Sequence, residues 1–279
     1  MANSSDTVPI DPEDLDAFER MASDFAARAG AEMVASRERT LEVSYKPSGG
    51  DRSDVSAWTD PVTDVDRAVE RHIRERLSEH YPGHTVIGEE MGADWRQSDF
   101  AWAIDPIDGT ANFLNGFPLF CASIGLLWQG RPIAGAVWCT ASHVLRPGVY
   151  HARVGGELCF DGAPIHLPEQ PGIRRRLIAL PASADGKTGD IRTTGSAALE
   201  CAFVAAGLLA GARFTGVNLW DVAAGIALVE ASGGVVLERR GREWLAFSGF
   251  ADWMADDGGL SRNDLVLADD PLTAKKLTM

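Results

Sequence analysis

The stretch Ala101-Trp-Ala-Ile-Asp-Pro-Ile-Asp-Gly-Thr-Ala-Asn-Phe113 decides how the rest of the chain is read. Its apolar run, Ala101 to Ile104, predicts a buried strand that stops at Asp105. Pro106 has no N–H to give to a strand ladder, so the ladder is expected to end there. Asp108-Gly109 reads as a tight turn and Thr110 as the N-cap of a following helix. Asp105 and Asp108 then fall at a strand end, beside backbone N–H groups that neither helix nor sheet uses. Carboxylates hold a hard cation such as Mg²⁺, and free N–H groups at a helix start hold a phosphate. Two readings fit this stretch by itself: a metal-assisted phosphate site, or a polar β-turn after a buried strand, since Asp and Gly are common turn residues.

The whole chain narrows the choice. Its 279 residues suffice for one large domain or two packed lobes. With 26 Lys and Arg against 40 Asp and Glu, the net charge of −14 argues against a nucleic-acid or anionic-membrane surface. Such a protein repels a phosphate unless a divalent metal reverses the sign locally. Cys121, Cys139, Cys159 and Cys201 form no C-x-x-C pair, and are expected to be reduced thiols in a cytoplasmic protein rather than zinc ligands or disulfides. Met1 to Asp11 has neither the basic nor the apolar region of a secretory signal, and no run approaches the ~18 apolar residues of a membrane span.

Upstream of the central stretch, Asp11-Pro-Glu-Asp14 opens a helix whose stripe is Leu15, Phe18, Ala22, Phe25, Ala29 and Met33, ending near Ser36. Leu41 to Tyr45 reads as a short strand, and Pro47 to Asp54 as a loop. Thr63-x-x-Asp66 is a capping box for a second helix, buried through Val65, Val69, Ile73 and Leu77 and ended by Tyr81-Pro-Gly83. Thr85 to Gly88 is a strand running into Glu89-Glu90, a pair of ligands or a solvated surface pair, and Met91 to Phe100 is a connector. Downstream, Ala122–Trp128 with Ile133–Trp138, and Tyr150–Val154 with Glu157–Phe160, read as antiparallel hairpins. After Pro171 the rhythm alternates: strand Leu177–Leu180, helix Ser196–Leu209, extended Phe214–Trp220 leading to Asp221, helix Val222–Ala231, then strands Val235–Leu237 and Leu265–Leu267. The expected organisation is a tail over 1–10, an α+β lobe with an antiparallel sheet over 11–165, and a smaller α/β lobe over 166–279.

Glu89-Glu90, Asp105, Asp108 and Asp221 share one pattern, each following an extended apolar run. Strand ends in layered folds gather at one edge, where ligands bind. Mg²⁺ takes carboxylates, waters and substrate phosphate oxygens, and two such ions polarise a phosphate and activate a water. The chain has no zinc-spaced His cluster, no phosphate-binding G-x-x-x-x-G-K-[ST] loop and no G-x-S-x-G elbow. The residues therefore point to a metal-dependent phosphoryl hydrolase.

Gly88-Glu-Glu90, Trp102-x-Ile-Asp-Pro-Ile-Asp-Gly-Thr-x-Asn-Phe113 and Trp220-Asp-x-Ala-Ala-Gly-Ile226 with Glu230-Ala-x-Gly-Gly234 resemble the inositol monophosphatase family. Gly195-Ser-Ala-Ala-Leu199 and Asp60-Pro-Val-Thr-x-x-Asp66 resemble two further segments of it, so that the likeness spans roughly residues 12–270. The resemblance implies a five-layered αβαβα sandwich, shared with fructose-1,6-bisphosphatase, and hydrolysis of a small phosphate monoester with two or three Mg²⁺ ions. It implies Glu89, Asp105, Asp108, Asp221 and the Ile107 carbonyl as metal ligands, with Glu90 acting on an outer metal or its waters. Gly109 and Thr110 would present N–H groups to the phosphate, and Asp108, Ala197 and Asp221 would meet the substrate. Asp66 and the Thr110 hydroxyl, with Glu89, would orient or deprotonate the attacking water. A homodimer is implied as well, with no nucleic-acid or membrane partner.

Three features depart from the family pattern. Phe214 stands seven residues before Asp221, where a Glu that contacts inositol hydroxyls is usual, with Thr215 or Asn218 as candidate substitutes. Pro181 to Thr193 is short for a segment that walls the leaving group. The loop from Lys46 to Asp60 is long, with Lys46 either the mobile lysine of the family or a solvated one. The expected substrate is inositol 1-phosphate or a similar polyol phosphate, with histidinol phosphate, fructose 1,6-bisphosphate or 3′-phosphoadenosine 5′-phosphate as alternatives. A partner-binding protein that keeps the phosphatase fold is the competing class.

Overall fold

The computed structural model describes residues 8–45, 61–165, 177–181, 189–250 and 262–279. Helix α1 (Pro12–Ser36) starts at Asp11, whose side chain accepts from the Glu13 N–H, and its predicted stripe from Leu15 to Met33 is buried. Strand β1 (Val43–Tyr45) pairs antiparallel with β2 (Pro61–Thr63). Helix α2 (Asp64–His80) begins in the expected capping box: the Thr63 hydroxyl accepts from the Val65 and Asp66 amides while Asp66 accepts from the Thr63 amide. Val65, Val69, Ile73 and Leu77 form its buried face.

The chain then lays down β3 (Thr85–Gly88), β4 (Gly92–Asp94), β5 (Phe100–Asp108), the short helix α3 (Thr110–Asn115), β6 (Cys121–Trp128), β7 (Arg131–Cys139), β8 (Gly148–Arg153), β9 (Cys159–Phe160) and β10 (Ala163–Pro164). The strands form one eight-stranded sheet in the order β10-β9-β8-β7-β6-β5-β3-β4, antiparallel except where β3 lies parallel to β5. The segment read as a connector, Met91 to Phe100, therefore holds an edge strand, β4. The ladder of β5 does not end at Asp105 either. Asp105 pairs with Ser123 and Asp108 with Cys121, three residues against two, so β5 carries an extra residue that takes up Pro106 in a bulge.

A second sheet is built by β11 (Leu177–Ala179), β12 (Asp190–Arg192), helix α4 (Ala197–Ala205), β13 (Gly211–Val217), helix α5 (Leu219–Ala231), β14 (Val235–Arg240), β15 (Glu243–Ala246), β16 (Asn263–Ala268) and helix α6 (Pro271–Leu277). Its order is β12-β11-β13-β16-β14-β15, parallel over the first three strands and antiparallel over the rest. Strands β12 and β15 and helix α6 are too short or too polar to stand out in the sequence. Helix α4 ends at Ala205 rather than Leu209, and α5 begins at Leu219 rather than Val222.

Three apolar clusters fill the gaps between five layers. Phe18, Phe25, Ile73, Trp102, Ile104 and Leu126 lie between α1, α2 and the first sheet. Ala101, Ala103, Leu199, Val222, Ile226 and Leu267 fill the space between the sheets, around α4 and α5. Ile178, Val266, Ala268 and Leu277 pack under α6. The architecture is the expected αβαβα sandwich. Along β5 the period of two sends Trp102 and Ile104 to one core and Ala101 and Ala103 to the other.

The middle layer sits hard against the first sheet. Gly125 and Gly135 face each other across β6 and β7. A Cβ on Gly125 would lie 2.8 Å from the Ala224 nitrogen, and one on Gly135 would lie 2.5 Å from the Ala224 oxygen. Two bare strand positions thus admit the backbone of α5 itself, and the Ser123 hydroxyl donates to the Trp220 carbonyl at 3.1 Å. All four cysteines are free thiols, and among the described residues no helix is long and apolar enough to cross a membrane.

Candidate active site

Three segments converge above the middle layer. The parallel ladder between β3 and β5 extends past Gly88, where the Glu89 amide donates to the Ile104 carbonyl at 3.1 Å. Asp105 lies on β5 on the same face as Ala101 and Ala103, and is 2% exposed. The Asp221 carboxylate comes from α5. Contrary to the strand-end reading, Leu219 and Trp220 are already helical, and Asp221 occupies the third helical position. The Asn218 amide (2.9 Å) and its side-chain nitrogen (3.1 Å) both donate to Asp221 Oδ2, closing a capping box that starts the helix early. One carboxylate oxygen each from Glu89, Asp105 and Asp221 lies within 4.8 Å of the others.

The bulge in β5 determines where Asp108 goes. In a regular strand, residues three apart point to opposite faces. The extra residue restores parity, so Ile107 enters the core beside α1 and α2 while Asp108 turns toward α4. There Asp108 Oδ2 accepts from the Ser196 hydroxyl (2.8 Å) and the Ala198 amide (2.5 Å), and the Ala197 amide also favours its charged form. Asp108 thus stands outside the close carboxylate trio, anchored on the first turn of α4. Gly109 has φ +90°, a value that favours glycine, and caps α3 with no side-chain bond of its own. The first amides of that short helix have no helical acceptor. Thr110 Oγ1 donates to the Ile107 carbonyl at 2.9 Å, so two predicted site groups touch each other.

Asp66 is buried in the first turn of α2, where Oδ2 accepts from the Thr63 amide (2.8 Å) and the Thr63 hydroxyl (2.5 Å). Burial, with the charges of Glu90 and Glu89 adding to it, pushes its carboxyl up to about 7 against these bonds. Asp221 is pushed up to about 8 by burial and by Asp108, against the Asn218 amide. Asp108 is pushed up to about 6 by burial, against Ala198 and Ser196, with Glu89 adding to the rise. Asp105 stands well above the ordinary carboxylate range, first from burial and then from Glu89, Asp108 and Asp221. The strongest charges acting on Asp105 are therefore other carboxylates. An all-oxygen cluster of one sign, half-buried around a fully buried Asp105, is a poor structural device and a good seat for a hard cation. The donor set fits a hard divalent cation.

Sequence reasoning credited the Gly195–Leu199 segment only with Ala197. The side chains that hold the segment are others. Ser196 secures Asp108, and Asn112 Nδ2 donates to the Leu119 (2.6 Å) and Thr194 (2.7 Å) carbonyls. Buried Glu200 accepts from the Thr194 amide (3.0 Å) and hydroxyl (2.8 Å), and burial lifts its carboxyl to about 7. Ser196 is an N-cap legible from the sequence, whereas Asn112 and Glu200 act across distances that no local pattern reveals.

On the substrate side, Phe214 is buried in the central core, Thr215 is exposed, and Asn218 is spent on Asp221. Lys46 and the loop to Asp60 lie outside the described residues, as do 182–188 within the short Pro181–Thr193 segment. A second trio, Glu19, His151 and Cys159, also brings ligand-type atoms close together. There His151 Nδ1 is 2.6 Å from Glu19 Oε1, and Nε2 accepts from the Gly162 amide at 3.1 Å. Both ring nitrogens are spent, so this trio clamps α1 to β8 and does not fit a metal.

The chain matches the inositol monophosphatase family over residues 14–269. It is 34% identical over 235 residues to inositol-1-monophosphatase ImpA of Mycolicibacterium smegmatis, covering 76% of this chain and 83% of that protein. It is 32% identical over 192 residues to a fructose-1,6-bisphosphatase/inositol-1-monophosphatase of Aquifex aeolicus, covering 63% and 71%. The crystal structure of extragenic suppressor protein SuhB from Bartonella henselae superposes with a TM-score of 0.73 at 26% identity, over 94% of this chain and 97% of that one. With a family match running through both sheets, and a relative above 30% identity over more than two thirds of the chain, the protein belongs to the inositol monophosphatase family.

Proposed function

We propose that the chain is a Mg²⁺-dependent phosphatase that hydrolyses a small phosphate monoester, inositol 1-phosphate or a similar polyol phosphate. The observation that carries this reading is the carboxylate trio of half-buried Glu89 and Asp221 around buried Asp105, with Asp108 and the start of α3 beside it. Two or three Mg²⁺ ions held by these carboxylates and the Ile107 carbonyl would supply charge stabilisation to the phosphate and activate water. The amides of Gly109 and Thr110 bind phosphate oxygens. Asp108, fixed by Ser196 and Ala198, borders the substrate together with Ala197 and Asp221. Asp66 and the Thr110 hydroxyl orient the attacking water, the Asp66 carboxylate takes up its proton, and Glu90 acts from the outer edge. A cytoplasmic homodimer belongs to the same proposal, by likeness to the family.

Both relatives described above carry inositol-1-monophosphatase in their names, and one of them carries fructose-1,6-bisphosphatase as well. Phe214, buried in the core, offers no hydrogen bond to an inositol hydroxyl, which keeps the alternative substrates open to test. The experiment is phosphate release from inositol 1-phosphate, histidinol phosphate, fructose 1,6-bisphosphate and 3′-phosphoadenosine 5′-phosphate, with and without Mg²⁺. Inositol 1-phosphate is expected to be turned over fastest. If none of the four exceeds a generic aryl phosphate, the polyol assignment falls. If no ester is cleaved in a Mg²⁺-dependent way, the phosphatase reading falls.

A further inference from the structure

We propose that Glu70, on α2, is a positioning residue that holds the Glu89-Glu90 turn in the geometry the metal site needs. This rests on the metal-dependent reading above. Glu70 is fully buried, an expensive place for a carboxylate unless every oxygen is used. Both are used. Oε2 accepts from the Glu90 amide at 2.8 Å, and Oε1 accepts from the Met91 amide at 3.2 Å and from Arg74 Nε at 2.8 Å. Arg74, one helical turn further on, also donates through Nη2 to the Gly92 carbonyl. One ion pair of α2 therefore grips residues 90–92 through both their N–H groups and a carbonyl.

The other side of Glu89 is fixed by the sheet, through its own amide on the Ile104 carbonyl. Glu89 is left little backbone freedom between the two anchors, and its carboxylate is delivered to Asp105 and Asp221. Gly88 makes room for the grip: a Cβ there would lie 2.1 Å from Glu70 Oε1. Arg74 offsets the charge of Glu70, so the anchor adds no net repulsion to an acidic site. Groups that orient metal ligands from behind typically govern affinity by 10–100-fold.

The test is Mg²⁺ binding to the full-length protein by calorimetry, alongside the Mg²⁺ dependence of phosphate release. Glu70→Gln keeps the shape but turns an NH₂ toward a backbone N–H and loses the ion pair. It is expected to weaken the Mg²⁺ Kd roughly tenfold, raising the Mg²⁺ concentration for half-maximal rate while kcat at saturating Mg²⁺ stays within about threefold. Gly88→Ala reaches the same contact from the sheet side, at a backbone angle that alanine adopts, and carries the test if Glu70→Gln does not fold. It is expected to weaken Mg²⁺ binding in the wild-type background and to add nothing in a Glu70→Ala background. Unchanged Mg²⁺ affinity in both single variants, or a lowered kcat with unchanged Mg²⁺ dependence, overturns the inference and leaves the phosphatase reading standing. Failure of the wild type itself to bind Mg²⁺ overturns that reading instead.

Discussion

Replacing Asp105 by Asn separates the cost of the acidic cluster from its use. The exchange is isosteric, and Asn retains an oxygen for the Ile107 amide that Asp105 Oδ1 accepts at 3.1 Å. Asp105 is 2% exposed, and burial with three neighbouring carboxylates holds its carboxyl well above the ordinary 3.8. A carboxyl raised on folding keeps its proton in the folded state after the unfolded chain has lost it. Its contribution to stability is therefore intact below about pH 4 and drains away as pH rises toward the folded value. Each pH unit in that window removes about 1.4 kcal/mol, so between pH 5 and pH 8 the wild-type protein loses at most about 4 kcal/mol at this group. Asn does not titrate. Metal-free Asp105→Asn therefore gains on the wild type by up to that amount between those pH values. Each 1 kcal/mol of gain is about 2–4 °C in Tm for a domain of this size. Thermal melts in EDTA at pH 5 and pH 8 measure it. Mg²⁺ should raise the Tm of the wild type and not that of the variant, whose turnover falls by at least about 100-fold. Equal pH dependence of the two proteins without metal would refute the charge argument. A variant active at saturating Mg²⁺ would refute the ligand assignment.

Two further outcomes follow from the packing. Ser196→Ala removes the hydroxyl that Asp108 accepts and the N-cap of α4. It should lower stability by about 1 kcal/mol in denaturant melts and weaken Mg²⁺ binding in calorimetry. Gly125→Ala forces a Cβ to 2.8 Å from the Ala224 nitrogen and 2.9 Å from the Ala223 Cβ. Overpacking of this kind costs about 1–3 kcal/mol, and because it lifts α5, Mg²⁺ affinity should fall with stability; a variant that is destabilised but binds Mg²⁺ normally would show that Asp221 is not placed through this contact.

Much of the architecture is legible along the chain because local rules act on local residues. The stripe of α1, the capping box of Thr63 and Asp66, and the alternation on either side of Gln129-Gly130 each need only near neighbours to be decided. The same locality explains the errors. Helix α5 begins three residues before Val222 because the Asn218–Asp221 box, masked in the sequence by the apolar extended run before it, starts the helix at Leu219. Strands β4, β12 and β15 are short edge pieces whose existence depends on a partner strand.

The sequence by itself singled out the residues proposed to carry the chemistry: Glu89, Asp105, Asp108 and Asp221 stand out by type, motif and spacing. Only the tertiary structure decided how they meet. Asp105 and Asp108 share a face because a bulge at Pro106 shifts the pleat by one residue, an event set by the register against β6. Asp221 joins Glu89 and Asp105 because Gly125 and Gly135 let α5 lie on the sheet. Glu70 reaches the Glu89-Glu90 turn only because Gly88 has no side chain. Each of these depends on contacts between segments far apart in the chain, and burial there fixes which face each carboxylate presents.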